Sequence, residues 1–361
     1  MMNNSNQRVV VAMSGGVDSS MAAALLLEQG YEVIGIMLRL WAEDGPAANR
    51  CCTPDAVCDA RHVADVLGIP FYVRDYKEPF KTTVVDYFTA TYARGLTPNP
   101  CLVCNRQIRF GRLLEEALAL GADSLATGHY ARVRRTEDGM VQLLKGIDAG
   151  KDQSYVLHRL GQAQLAHAVF PLGDYTKTQV REMARSRGLP VFNRADSQDL
   201  CFLGNGDYRE FLARHVPTAA RPGPIVDTAG HILGEHRGLP YYTIGQRKGL
   251  GIAAPQPLYV LAVEPMHNVL VVGTAEELGR RELSASEATY VSGSPPAGPL
   301  RITAKIRYKA NEASALLTPL DDDRAFVRFD EPLRDIAPGQ GVVFYHGDLV
   351  LGGGIIERFD V

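Results

Sequence analysis

Two cysteine segments and one glycine-rich loop carry the chemistry of this chain. Cys104 lies in Thr97-Pro98-Asn99-Pro100-Cys101-Leu102-Val103-Cys104-Asn105. Asn99-Pro100 signals a turn, and the pattern after it predicts a helix over Arg106–Leu120. That puts Cys104 at a helix N-terminus, where a thiolate is stabilised and its pKa falls by about one to several units. The thiolate is the form that attacks as a nucleophile. Cys201 lies in Asp196-Ser197-Gln198-Asp199-Leu200-Cys201-Phe202-Leu203. This segment is polar, then apolar, between two predicted helices, so the thiol is expected at a loop end facing a cleft. For each, an ordinary buried thiol is the alternative. Cys51 and Cys52 read as part of a loop and Cys58 as part of a helix face, without catalytic roles.

The loop is Ser14-Gly15-Gly16-Val17-Asp18-Ser19-Ser20. The apolar run Val9–Met13 precedes it and Met21–Leu27 follows, which reads as strand, turn and helix. Backbone amides at such a helix start, with its dipole, favour phosphate. Gly15 and Gly16 let an anion approach, and Ser19 or Ser20 can cap the helix. The Lys of a Walker A loop is missing, as is the G-x-G-x-x-G of a dinucleotide site.

These groups need elements to hold them. The first half predicts strands over Glu32–Leu40, Ile69–Asp75 and Ala122–Thr127. It predicts helices over Pro54–Leu67, Glu78–Ala93 and Arg106–Leu120. This βα rhythm implies a doubly wound parallel sheet with its site at the strands' carboxyl ends. A hairpin over Val133–Ile147, turning at Asp138-Gly139, follows. Helices are expected over Gln153–Leu160, Thr176–Arg187 and Asp207–His215. After Arg221-Pro222-Gly223-Pro224, short β runs take over, and Pro295–Pro299 suggests a second boundary. Alternation over Arg301–Lys309, Ala325–Phe329 and Val342–Tyr345 suggests a small barrel. The expected class is α/β plus β: a parallel-sheet domain (1–216), a small, mostly β domain (217–284) and a C-terminal β-barrel (285–361).

A chain of 361 residues fits two or three domains. Its net charge of −3 argues against a uniformly basic nucleic-acid binder but allows a basic face. Arg301, Lys305, Arg307 and Lys309 would share one face of a strand. Arg106, Arg109 and Arg112 recur every three residues and could form a second phosphate-facing stripe. No apolar run approaches the roughly 20 residues of a membrane span. The polar first residues lack a signal peptide's apolar region, so a cytoplasmic location is expected. Six cysteines then read as thiols, metal ligands or catalysts rather than as a disulfide framework.

The glycine loop resembles the PP-loop of ATP pyrophosphatases, which cleave ATP to AMP and pyrophosphate. With it occur, in order, Asn99-Pro100-x-x-x-Cys104-Asn105, Thr127-Gly128-His129-Tyr130, Lys151-Asp152-Gln153-Ser154-Tyr155, Asp196-Ser197-Gln198-Asp199-x-Cys201-Phe202 and Gly245-Gln246-Arg247-Lys248-Gly249-Leu250-Gly251. Together they resemble the tRNA-specific 2-thiouridylase family over nearly the whole chain. The resemblance implies a fold like adenine nucleotide alpha hydrolases and a sulfurtransferase; a monomer is the default expectation. It would adenylate the 2-oxygen of a wobble uridine with ATP and replace that oxygen with sulfur. By resemblance, Cys201 takes a persulfide from a donor protein, a cysteine desulfurase or a sulfur relay protein. Cys104 is the catalytic cysteine that helps release the sulfur and can form a disulfide with Cys201.

Ala12, Met13, Ser14, Gly15, Gly16, Val17, Asp18, Ser19, Met37 and Gly128 match ATP-contacting positions; Asp18 either orients the loop or helps position Mg²⁺. Asn99, Pro100 and Cys101 match the segment near the target base, which must leave the anticodon stack to react. His129, Lys151, Asp152, Gln153, Arg307, Tyr308 and Gln340 match tRNA contacts. One departure concerns Cys101, where the commoner family pattern has Asp. Cys101, Cys104 and Cys201 could hold a [4Fe–4S] cluster whose open iron binds hydrosulfide, a variant ranked below the persulfide route. Two rivals stand beside this reading. One is a PP-loop ligase adenylating a small metabolite, and the other is a non-catalytic nucleotide- or RNA-binding module. Neither accounts for the cysteine segments.

Overall fold

Apolar side chains dictate the first strand: Val9, Val10 and Val11 are wholly buried, as a strand covered on both faces requires. The computed structural model describes residues 7–41, 54–195, 200–203, 207–216 and 221–359. Cys51, Cys52 and the segment 196–199 lie outside the described residues. The chain runs β1 (Arg8–Ala12), α1 (Val17–Glu28), β2 (Glu32–Arg39), α2 (Pro54–Leu67) and β3 (Phe71–Asp75). Helical runs over 77–93 and 100–119 follow, then β4 (Ser124–Ala126), the hairpin β5 (Ala131–Arg135) and β6 (Val141–Lys145), and β7 (Ala168–Val169). The order β3-β2-β1-β4-β7 is parallel throughout. The chain order reverses between β1 and β4, and a ligand crevice opens at such a switch point. Ala22, Ala23 and Ala24 let α1 lie close on one face of the sheet, where Val180 and Ala184 of the helix Lys177–Ser186 join the same core.

A four-stranded central sheet contains β8 (Gly223–Val226), β9 (Ile232–His236), β10 (Tyr259–Glu264) and β11 (Val269–Gly273), in the order β10-β11-β8-β9. Six antiparallel strands then close a barrel: β12 (Arg280–Tyr290), β13 (Leu300–Lys305), β14 (Ala313–Leu320), β15 (Arg324–Leu333), β16 (Gly341–His346) and β17 (Leu349–Ile356). Pairing of β12 with both β15 and β17 closes the ring. The barrel begins at Arg280, ahead of the expected boundary at 285. The hairpin also pairs β6 with β17, and Tyr345 and Val350 pack in the same core as Val10 and Leu125. The parallel-sheet half and the barrel therefore share a sheet and a core.

Three expectations are corrected. The helix expected from Arg106 starts at Pro100, because Asn99 caps it by accepting a bond from the Cys101 amide (3.2 Å) and Pro100 takes the first helical position. Gln153–Leu160 holds only a 3₁₀ turn, Ser154–Val156. There the buried Asp152 carboxylate accepts from Ser154 N, Ser154 Oγ and Gly146 N, satisfying backbone that a helix would need. The strand expected over Arg301–Lys309 ends at Lys305. Arg307 and Lys309 lie in the turn beyond it, so the four cations share no strand face.

Candidate functional site

β1 ends where the glycine loop begins, and the loop feeds directly into α1. Gly16 is the N-cap of α1, and no side chain caps the helix. Neither expected serine does so, since Ser20 Oγ donates to Gly16 O (2.9 Å) and Ser19 Oγ accepts from Ser14 N (3.1 Å). The first-turn amides are thus left for an anion. Gly15 adopts φ +72°, and a Cβ there would fall 2.5 Å from Ala56 O. At Gly128, just past β4, a Cβ would fall 2.7 Å from the Ser19 amide nitrogen. Glycine is what lets this strand end close on the loop.

Asp18, in the first turn of α1, is locked in place. Tyr130 Oη donates to its Oδ1 (2.7 Å), and Lys177 Nζ donates to Oδ1 and Oδ2 (2.8 and 2.7 Å). Both carboxylate oxygens are engaged, which fits the orienting role rather than that of a metal ligand. Lys177 is only 11% exposed along its side chain. Sequence reasoning missed it, although a cation in the first turn of a helix, against the helix dipole, was a readable oddity. It also missed Arg194, whose Nη1 donates to Gly15 O (2.8 Å) and pairs with Asp59.

A cavity of ≈ 1570 Å³ joins these groups to the thiols. Ala12, Met13, Ser14, Gly16, Val17, Asp18 and Ser19 line one end, with Gly128 and His129 beside them. Asn99, Pro100, Cys101, Cys104 and Cys201 line the other. Lys151, Gln153, Tyr308 and Gln340 also reach the cavity wall, as do Lys309 of the expected basic face and the unforeseen Lys177 and Arg194. Gln153 holds Tyr130 by two backbone-directed bonds (2.9 and 3.1 Å). Four expected residues are absent from the lining, Gly15 among them. Met37 is buried against Ala56 and Ala60, Asp152 organises the turn described above, and Arg307 pairs with Asp335 (2.9 Å). Of the arginine triplet, Arg109 alone lines the cavity; the π-wound segment Cys104–Leu113 breaks the three-residue periodicity.

Cys104 is buried in the second turn of its helix rather than at the terminus. Burial raises its thiol pKa, opposed by the Arg109 guanidinium, so the expected lowering is reversed. Cys101, partly exposed, is pushed up to about 11 by desolvation and then by Cys104. Cys101, Cys104 and Cys201 are free thiols. Among the described residues no three His, Cys, Asp or Glu side chains are placed to hold a metal ion. The three thiols line one cavity, and Cys104 and Cys201 pack in the same cluster, but as they stand they form no three-thiolate site.

Arg109 Nη1 donates to His129 Nε2 (3.3 Å), which fixes the tautomer, and Nδ1–H therefore donates to Thr127 Oγ1 (2.7 Å). Burial, then Arg109, lowers His129 to about 3, and burial does the same for His158. Both stay neutral when folded but protonate near pH 6.5 when unfolded, so their contribution to stability is lost as pH falls. We expect unfolding free energy to drop by up to about 1.4 kcal/mol per pH unit for each, from pH 6.5 down towards about 3. Urea titrations check this; stability unchanged between pH 6.5 and pH 5 would contradict it.

The family description "tRNA methyl transferase HUP domain" matches residues 7–205. "tRNA methyl transferase PRC-barrel domain" matches 209–274, and "Aminomethyltransferase beta-barrel domain" matches 280–356. The chain is 54% identical over 352 residues to the tRNA-specific 2-thiouridylase MnmA of Moorella thermoacetica, covering 96% of this chain and 99% of that one. It is 50% identical over 355 residues to the protein of that name from Chloroflexus aurantiacus (98% and 99% covered). With the one from Magnetococcus marinus it shares 52% over 353 residues (97% and 99%). No helix among the described residues is long and apolar enough to cross a membrane.

Proposed function

Because the chain belongs to the family of tRNA-specific 2-thiouridylases, we propose that it replaces the 2-oxygen of a tRNA wobble uridine with sulfur, using ATP. A single observation carries this reading: one cavity is lined by a phosphate-type loop at one end and by Cys104 and Cys201 at the other. A carbonyl oxygen is a poor leaving group, and the two ends supply the two halves of its replacement.

Uridine O2 attacks the α-phosphorus of ATP, and the bond to pyrophosphate breaks. The amides of the glycine loop and Lys177 offset the phosphate charge. Mg²⁺ bound with ATP would offset further phosphate charge; Lys177 and Tyr130 engage both oxygens of Asp18, which therefore orients the loop. Cys201 carries a persulfide delivered by a cysteine desulfurase or a sulfur relay protein. Its terminal sulfur attacks C2 directly, after which the Cys104 thiolate attacks the Cys201 sulfur and breaks the S–S bond so that the sulfur stays on C2, or the Cys104 thiolate attacks the inner sulfur first and the hydrosulfide it releases attacks C2. AMP leaves with O2, and a Cys104–Cys201 disulfide remains, which an external dithiol reduces. Asn99, Pro100 and Cys101 flank the target base, while His129, Lys151, Gln153, Tyr308 and Gln340 hold the surrounding RNA. Neutral His129 offers a polar edge without adding charge. The enzyme acts as a cytoplasmic monomer.

Mass analysis of tRNA nucleosides after incubation with ATP, Mg²⁺ and a persulfide source tests the reading. 2-Thiouridine is the expected product. A methylated nucleoside, or unmodified uridine on a competent tRNA, overturns it.

A further inference from the structure

The segment Gly245-Gln246-Arg247-Lys248-Gly249-Leu250-Gly251 does not line the cavity, yet it is pinned to the central domain at several points. Gly245 N donates to Val260 O (2.9 Å), and Gln246 O accepts from Val260 N (3.0 Å). The Gln246 side chain accepts from Thr243 N (3.2 Å) and donates to Lys248 O (2.9 Å). Leu250 is buried in the central core. Gly245, Gly249 and Gly251 have φ of +84°, +81° and +72°, a conformation that lets the chain fold back around that plug. Between the pins, Arg247 and Lys248 are exposed, and among the described residues neither has an ion-pair partner. An unpaired, solvated cation is common. Two adjacent cations on a backbone fixed this firmly have already met much of the ordering cost of binding.

The loop is also fixed beside the cavity. A Cβ at Gly245 would fall 2.0 Å from Asp335 Oδ1, so the loop backbone abuts this carboxylate. The other oxygen of Asp335 accepts from Arg307 Nη2 (2.9 Å), and the next two residues, Tyr308 and Lys309, line the cavity wall. On the other side Tyr241 O accepts from Tyr208 Oη (3.4 Å), and Tyr208 lines the cavity as well. A basic loop thus stands next to two walls of a cavity whose occupant is a polyanion. We propose that Arg247 and Lys248 bind the phosphodiester backbone of the tRNA outside the nucleotides held in the cavity. This inference rests on the tRNA reading above. The contact is to phosphate, so it gives affinity and orientation without reading sequence.

The test is the salt dependence of full-length tRNA binding to the whole chain. Each phosphate contact contributes roughly 0.7–0.9 to the slope of log affinity against log salt. Arg247→Ala/Lys248→Ala is expected to flatten the slope by about 1.5 and weaken binding about tenfold near physiological salt. The charge-preserving Arg247→Lys/Lys248→Arg is expected to keep the parent slope. Both positions are exposed, so melting temperature and ATP affinity should match the parent. A double-alanine variant with the parent's slope and affinity overturns the loop contact alone. A parent chain that binds no tRNA overturns it together with the reading it rests on.

Discussion

Cys201→Ser should abolish 2-thiouridine formation, by a thousandfold or more on the order of other nucleophile deletions, while adenylated tRNA still forms. The physical ground is the separation of roles in the cavity. The glycine loop and Lys177 line one part of the wall, and Cys201, on the aromatic cluster that contains Phe202 and Phe211, lines another. A hydroxyl fills nearly the same space but cannot carry a persulfide. Radiolabel from the α-phosphate of ATP should therefore stay on tRNA in the variant. Cys104→Ser should show the same retention if Cys104 acts on the persulfide. Because burial raises the Cys104 thiol pKa, its thiolate is scarce at neutral pH. Turnover limited by that thiol should rise with pH, approaching tenfold per unit below its pKa. Undiminished thiolation by Cys201→Ser with the persulfide donor would sink the mechanism.

The second large effect is expected at Lys177. Its ammonium is nearly buried and bonded to both oxygens of Asp18. Incoming phosphates add negative charge beside that pair, and Lys177 is placed to offset it. Lys177→Met should slow adenylation about a hundredfold or more and raise the KM for ATP. It should also cost about 2–4 kcal/mol of stability, because a half-buried carboxylate loses its counter-ion. Lys177→Met combined with Asp18→Asn separates the two effects: stability should return and adenylation should not. Lys177→Arg should rescue poorly, since a broad planar guanidinium cannot take the place of a compact point charge. Parent-like adenylation by Lys177→Met would remove Lys177 from the reaction.

The fold class and most local elements were legible in the sequence, but the long-range side-chain contacts were not. The glycine loop, the strand before it and the alanine-rich helix after it follow from nearest-neighbour chemistry and were read as they stand. Asn99-Pro100 was read as a turn, although the same dipeptide is an N-cap followed by a first-turn proline. This error shifted the helix start and put Cys104 at a terminus it does not occupy. Lys177 went unread because its partner lies 159 positions away, and no periodicity links them. Met37 was expected at the nucleotide, but an apolar residue on a strand has two faces to choose from. Packing on Ala56 and Ala60 decided for the interior.

The pairing of the β5–β6 hairpin with β17 sets a timetable for synthesis. Arg132 Nη2 donates to Asp348 Oδ2 across 216 positions, so one half of this contact is made long before the other. At ribosomal speeds of about 5–20 residues per second, roughly 10–40 s separate them. For most of that interval the nascent chain has its glycine loop but neither Tyr308 nor Gln340, and the hairpin edge has no neighbour to pair with. A chain released early, or stalled, would expose that edge and present a cavity open on its barrel side. The glycine loop is thus made first, and the barrel-side wall of its cavity is completed only when the last strand closes the barrel.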